Sequence, residues 1–385
     1  MNSWTYHSVI PENNKSGTGA TDGYTEFDNV DFNLEFEGRA LNLNSVRLIG
    51  SVKVTDNGTS LANPANIHKD IKLDRLVGAH SFIESIQTSF FNGSSLVENL
   101  SDYPRYVKMK NAGRKGINQM NNGSNVCELL APVDDMTNLI LKGTTPPDNS
   151  GANLDPLDPD FSIRPEFCLN NATGNPVLPY SKTNSIRVTV NLNRVFSALY
   201  GLDVSSTTKY RIQNLKLSFT SVPESPEMID EKSVMRTIYN LKQSVESSFA
   251  NIGVKVPEIC DRVSCSFQLQ SAENTAKNNN TELAKVVGLQ EVQFLMNDST
   301  NSLISFLLRD YEEVISRYIG SFYDTGKNAL TANQLANNDG FGIGLDFDSF
   351  IDLRNNRFTL QLSSAINQEA DHLIIYMYFH SVMTV

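Results

Sequence analysis

The chain has 385 residues, 43 acidic against 32 basic, for a formal net charge of −11. That length allows two domains of ordinary size. The acidic balance argues against an extended nucleic-acid face, because neutralising phosphates needs clustered Lys and Arg. Charged residues are only 19% of the chain. Asn, Ser and Thr fill much of the remainder, and they favour turns and β edges over helix interiors.

Residues 1–28 are polar, rich in Gly, Asn and Thr, and carry the only tryptophan, Trp4. They read as an extended arm that orders only against a partner. No basic stretch followed by an apolar core stands at the start, so synthesis inside a cell without secretion is expected. Strand signals begin at Val30, where Phe32, Leu34 and Phe36 alternate onto one face. Further strands are expected across Ser45–Val54, closed by the turn Asp56-Asn57-Gly58, and across Phe82–Phe91, closed by Asn92-Gly93.

From 104 to 162 the periodicity fades into Gly, Asn and Pro, as in an elaborated functional loop. The basic run Arg105–Lys115 lies at its start and reads as a solvated loop or a partner contact. Strands resume near Phe161 and continue to Val222. Pro223–Pro226 breaks the chain, and apolar residues from Met228 to Phe249 then recur at mostly helical spacing. A helix over 227–250 is therefore expected, within a linker of residues 223–252. A strand over Val263–Leu269 and a second helix over 304–319 follow. The longest apolar run, Leu373–Phe379, is far too short to span a bilayer.

The catalytic inventory is empty. Of the histidines His7, His68, His80, His372 and His380, no two have metal-ligand spacing. Asp155, Asp158 and Asp160 form a loose acidic loop without the order of a calcium site, and Pro156 and Pro159 favour an extended turn. Asp346 and Asp348, at alternate strand positions, are the one carboxylate pair suited to acid–base work, as in a glycosidase. Gly340–Gly344 has the spacing of a phosphate loop, yet a strand-like segment follows it where a helix is needed. Cys127, Cys168, Cys260 and Cys265 are too scattered for a disulfide scaffold or a zinc site, and are expected to be free thiols. The odd spacing of Cys260 and Cys265 should put them on opposite faces of a strand. No catalytic, cofactor-binding or metal-binding residue is assigned, and the chain is not expected to be an enzyme.

Internal similarity is more informative. Leu215, Leu217, Phe219 and Ser221-Val222 align with Ile375, Met377, Phe379 and Ser381-Val382. Ile186–Leu192 precedes the first segment as Arg357–Leu362 precedes the second. Upstream, Phe82–Ile86 leads through Leu96 to Asp102-Tyr103, and Leu289–Val292 leads through Leu303 to Asp310-Tyr311. Three matches in the same order indicate a duplicated β domain.

Leu41–Val54, His80–Ile86 with Leu96–Glu98, and Ala370–Val385 together resemble segments of the double jelly-roll major capsid proteins of tailless icosahedral double-stranded DNA viruses. The resemblance touches about a fifth of the chain and includes no strict motif. It implies an all-β fold with a few helices: an N-terminal arm (1–28), a first jelly roll (29–222) with a long loop (104–162), the linker (223–252) and a second jelly roll (253–385). It further implies a homotrimeric, pseudo-hexameric capsomer in a virion capsid, assembled in the host cell interior. The implied partners are neighbouring trimers, minor capsid and vertex proteins, and an internal viral membrane reached by the arm, with no sequence-specific nucleic acid. The alternative is a jelly-roll spike that binds a receptor or glycan.

Overall fold

The computed structural model describes residues 4–15, 22–60, 69–114, 127–130, 160–245, 247–273, 275–299, 305–321, 341–364 and 372–385. Its strands in chain order begin with β1 (Thr5–Val9), β2 (Asn29–Leu34), β3 (Arg39–Asn42), β4 (Arg47–Asp56), β5 (Thr59–Ser60), β6 (Ile83–Phe90) and β7 (Ser95–Leu100). They continue with β8 (Asp160–Ile163), β9 (Val177–Pro179), β10 (Ile186–Leu192), β11 (Thr208–Pro223), β12 (Val234–Val245), β13 (Phe249–Lys255) and β14 (Ile259–Leu269). The last five are β15 (Leu289–Met296), β16 (Ser305–Leu308), β17 (Gly342–Asp352), β18 (Arg357–Ser364) and β19 (Leu373–Thr384). Two longer helices stand out, α1 (Tyr103–Arg114) and α2 (Tyr311–Gly320).

Strand order reveals two lobes of one design. In the second lobe, sheet β12-β19-β14-β17 is accompanied by sheet β13-β18-β15-β16. In the first, the chain of neighbours β1-β11-β4-β8 is accompanied by β2-β10-β6-β7, with β3, β5 and β9 added at the margins. Matching β1 to β12 and β11 to β19 brings the other strands of these paths into the same place, and α1 and α2 both follow the fifth matched strand of their lobe. All pairings are antiparallel. Each lobe encloses its own apolar core between its two sheets, the arrangement of a jelly roll.

The three sequence matches land on equivalent strands: β11 on β19, β10 on β18, and β6 on β15. Leu217 and Phe219 enter the first core while Met377 and Phe379 enter the second. Asp310 immediately precedes α2 as Asp102 immediately precedes α1. The alternation on β10 is strict, with Ile186, Val188, Val190 and Leu192 buried and the residues between them half-buried.

Several expectations are overturned. Residues 5–9 are not a free arm: β1 pairs with Leu217–Ser221 of β11, and Tyr24 is fully buried. The first lobe therefore starts before residue 29. The linker helix is absent. A helical turn spans only Pro226–Asp230, and the rest is β12, paired along its whole length with β19, followed by the first residues of β13. The second lobe accordingly begins at β12. Apolar residues on β12 belong to two different cores, Met235 and Ile238 to the first and Val245 to the second. A strand apolar on both faces imitates helical spacing. The second expected helix is divided into β16 and α2 at Arg309-Asp310. Most of the 104–162 loop lies outside the described residues, but its opening is the ordered helix α1.

Candidate functional site

The two lobes meet around α1. All ten residues from Tyr103 to Ala112 are buried, including Arg105, Lys108 and Lys110, each 4% exposed. Over residues 105–112 the basic run is thus neither a solvated loop nor an outward contact. Cations leave water only where partners replace hydration, and here both lobes supply them. Lys108 Nζ donates to Asp74 at 2.6 Å, and that carboxylate also accepts from Asn279 Nδ2 at 2.5 Å and Thr281 Oγ1 at 3.0 Å. Burial opposes the charge on Asp74, yet Lys108 and these donors hold its pKa below the ordinary value. Arg105 donates to Gln268 and to the Asn280 carbonyl, and its guanidinium lies 4.3 Å from the Tyr376 ring centre. Lys110 pairs with Glu166 and donates to Asn171 at 3.2 Å.

Apolar contact seals the same seam. Ile374, Tyr376 and Tyr378 on β19 turn away from the second core and join the first, beside Met235 and Ile238. The Tyr106 ring packs against Tyr378 at 5.2 Å and His380 at 6.1 Å. At the edge, Thr173 N–H donates to Val234 O and Arg236 N–H to Asn171 O. Glu98 on β7 accepts from the Ile238 N–H at 2.8 Å and the Cys168 N–H at 2.7 Å. A polar cleft of about 220 Å³ lies at the start of α1, where Arg105, Arg194 and Lys242 are offset by Glu84, Asp102 and Glu273.

Two buried groups give the seam opposite responses to pH. Burial raises Glu98 from 4.5 to about 7, against the backbone N–H bonds that favour its charge. The folded state therefore holds that proton more tightly. Glu98 costs nothing below about pH 4.5, and stability falls by about 3 kcal/mol as pH rises to 7. Burial, with Lys110, Arg262 and Arg236, lowers His380 from 6.5 to about 3. Its contribution is complete above pH 6.5 and is lost as pH falls toward 3. Denaturant unfolding of Glu98→Gln from pH 4.5 to 7 should give a flatter profile than the parent. It should also be less stable at the acid end, where one amide N–H faces a backbone N–H. An unchanged slope would refute the assignment.

The sequence-flagged residues do not converge. His7 stacks on Phe219 and meets Ser221 Oγ at 2.7 Å; His80 Nδ1 meets the Tyr103 hydroxyl at 2.7 Å. His372 carries no partner on its buried Nδ1, while His68, Asp155, Asp158 and Gly340 lie outside the described residues. Asp160 opens β8 and is exposed. Asp346 is held by Arg262 Nη2 at 2.9 Å and accepts from the Asp348 backbone N–H at 3.0 Å, while Asp348 sits at a left-handed position, φ 57°. Gly342 and Gly344 lie within β17, not in a loop, and α2 packs across them. A Cβ on Gly342 would sit 2.4 Å from the Tyr318 ring. Cys260 and Cys265 both face the second core, because a bulge at Asp261 makes their odd spacing even.

Sequence reasoning missed Asp74, Glu98, Gln268 and Tyr376, and gave His380, flagged only for its spacing, no place in a seam. For Tyr376 a signal existed. The unbroken apolar run 373–379 is the mark of a strand buried on both faces, so something had to cover its second side. Asp74 and Glu98 carry no local signal.

No family model matches the chain, and no curated protein does. Solved structures do match over its full length. Vp54 of PBCV-1, fitted into a reconstruction of the virophage Sputnik, is similar at TM-score 0.56 and 10% identity, covering 100% of this chain and 95% of that one. The Faustovirus major capsid protein gives 0.55 and 9%, covering 100% and 90%. The fold is a double jelly roll. A chain of the Sputnik virophage agrees, with TM-score 0.58 at 9% identity over 99% of this chain and 86% of that one. At such low identity the likeness is one of fold, not of particular side chains.

Proposed function

We propose that this double jelly roll is the major capsid protein of a tailless icosahedral virus, acting as a trimeric capsomer. One observation carries the reading: two lobes of the same strand order are locked in fixed relation by a seam of buried ion pairs and aromatic contacts. Linked like lobes let three chains present a pseudo-hexagonal block, and such blocks tile a closed shell. The role is structural, not catalytic, and its place is the virion capsid.

Partners on this reading are further copies of the chain, neighbouring trimers, and minor capsid and vertex proteins. An internal viral membrane beneath the shell belongs to the same reading, although β1 is already committed to the first lobe and leaves the arm less chain to offer it. The −11 charge suits a shell without direct, sequence-specific contact to nucleic acid. The spike alternative gains nothing from a rigid pair of like lobes.

Purified 42.7-kDa chain should run as a trimer by light scattering, and should be the most abundant protein of purified particles. A chain that stays monomeric at high concentration and is absent from particles would overturn the reading.

A further inference from the structure

Two buried lysines of α1 face different chemistry. Lys108 meets Asp74, whose carboxylate also accepts from Asn279, Thr281 and the Leu76 N–H and so stays charged. The carbon of an ionised carboxylate repels a nucleophile. Lys110 instead meets two side chains from the stretch between β8 and β9. One is the Glu166 carboxylate, and the other is the Asn171 amide, whose Oδ1 accepts from Nζ at 3.2 Å. An amide carbon is an electrophile, and Asn171 Cγ lies one bond beyond that oxygen.

The fold holds all three residues in place. Lys110 is 4% exposed, and its Nζ lies 5.8 Å from the centre of the Tyr106 ring. The Glu166 backbone N–H donates to the Tyr103 hydroxyl at 3.0 Å. Asn171 donates its backbone N–H to Cys168 O at 3.1 Å and accepts the Arg236 N–H at 2.9 Å. Fixing reactants in contact replaces a collision by an intramolecular step, and well-oriented cases reach effective concentrations of about 10⁵ M or more.

We propose that Lys110 and Asn171 join in an isopeptide bond that forms spontaneously in the folded chain, with Glu166 as the proton carrier. A charge out of water is costly, and Glu166 is the base within reach of Nζ. Glu166 takes one proton from the ammonium and lends it to Oδ1 as the Nζ lone pair closes on Cγ and the carbonyl π pair moves to oxygen. It then takes a second proton from the now cationic Nζ and delivers it to Nδ2. The Cγ–Nδ2 bond breaks with its electron pair on nitrogen, and an Oδ1 lone pair re-forms the carbonyl. The Oδ1 proton leaves with the ammonia, as ammonium, and Glu166 ends as a carboxylate. One C–N bond replaces another, without oxidant or cofactor. The product ties α1 to the stretch whose Asn171 carbonyl and Thr173 N–H hold the edge of β12, so it staples the seam covalently.

The test is the intact mass of the purified full chain after unfolding, followed by a tryptic digest. The mass should lie one ammonia below that of the sequence. The digest should hold a branched peptide joining residues 109–114 to the peptide that carries Asn171. That peptide separates the bond from an Asn-Gly succinimide, which loses the same mass without joining two segments. Lys110→Arg and Glu166→Gln, each folded by circular dichroism, should keep the full mass and give no branched peptide. Parent protein that is folded, keeps its full mass and lacks the branched peptide would overturn the proposal, whether or not the variants fold. A folded Glu166→Gln that still crosslinks fully would overturn the part given to Glu166. The bond needs only the folded chain, so either failure leaves the capsid reading standing.

Discussion

Deleting residues 1–10 should lower the melting temperature by roughly 5–15 °C, the shift that a few kcal/mol produces in a lobe of this size. β1 completes its sheet along Leu217–Ser221 of β11. His7 stacks on the Phe219 ring at 4.7 Å, and Arg39 donates to Thr5 Oγ1 and Ser221 Oγ. Removing the strand strips the backbone partners from the middle of β11 and opens Phe219 to water. Apolar burial is worth about 25 cal/mol per Å², and freeing five residues returns only part of that loss as chain entropy. Tyr6→Asp is the proper reference, because it alters the exposed face of β1 and keeps the strand paired. If the shortened protein melts with that reference, β1 is an arm after all and its pairing is marginal.

The second large effect is expected at Asp74. Asp74→Ala leaves the Lys108 ammonium buried without its counter-charge and removes the acceptor for Asn279 and Thr281, which belong to the other lobe. Breaking one member of a buried pair costs about 3–5 kcal/mol. Replacing both charges, as in Asp74→Leu with Lys108→Leu, should recover most of that stability, because neither desolvated ion remains. The recovery separates a stranded charge from mere loss of packing. The pair also predicts an acid limit. Its folded pKa lies below 3.8, so its contribution is present above that value and is lost as pH falls through the lower, folded value. Equilibrium unfolding of the single and double variants at neutral pH measures the first effect. Two variants equally unstable would refute it.

The alternation in Ile186–Leu192 and in Val30–Leu34 was readable from the chain alone, because a half-buried strand writes its two environments into every second residue. The duplication was readable for the same reason. Equivalent strands face equivalent cores, so Leu217 and Phe219 have their counterparts in Met377 and Phe379.

Tertiary structure alone decided what covers each face. Residues 234–245 carry apolar side chains for two cores, and only the twelve-residue pairing with β19, remote in sequence, makes them a strand. The Arg105–Lys110 cations look solvated because their partners Asp74, Glu166 and Gln268 are not neighbours in the chain. Cys260 and Cys265 share a core because one bulge resets the alternation between them. Local periodicity reports that a side chain is buried. The identity of the surface that buries it is set by long-range pairing and by the cost of leaving a charge or an apolar face uncovered, and neither is recorded in the residues on either side.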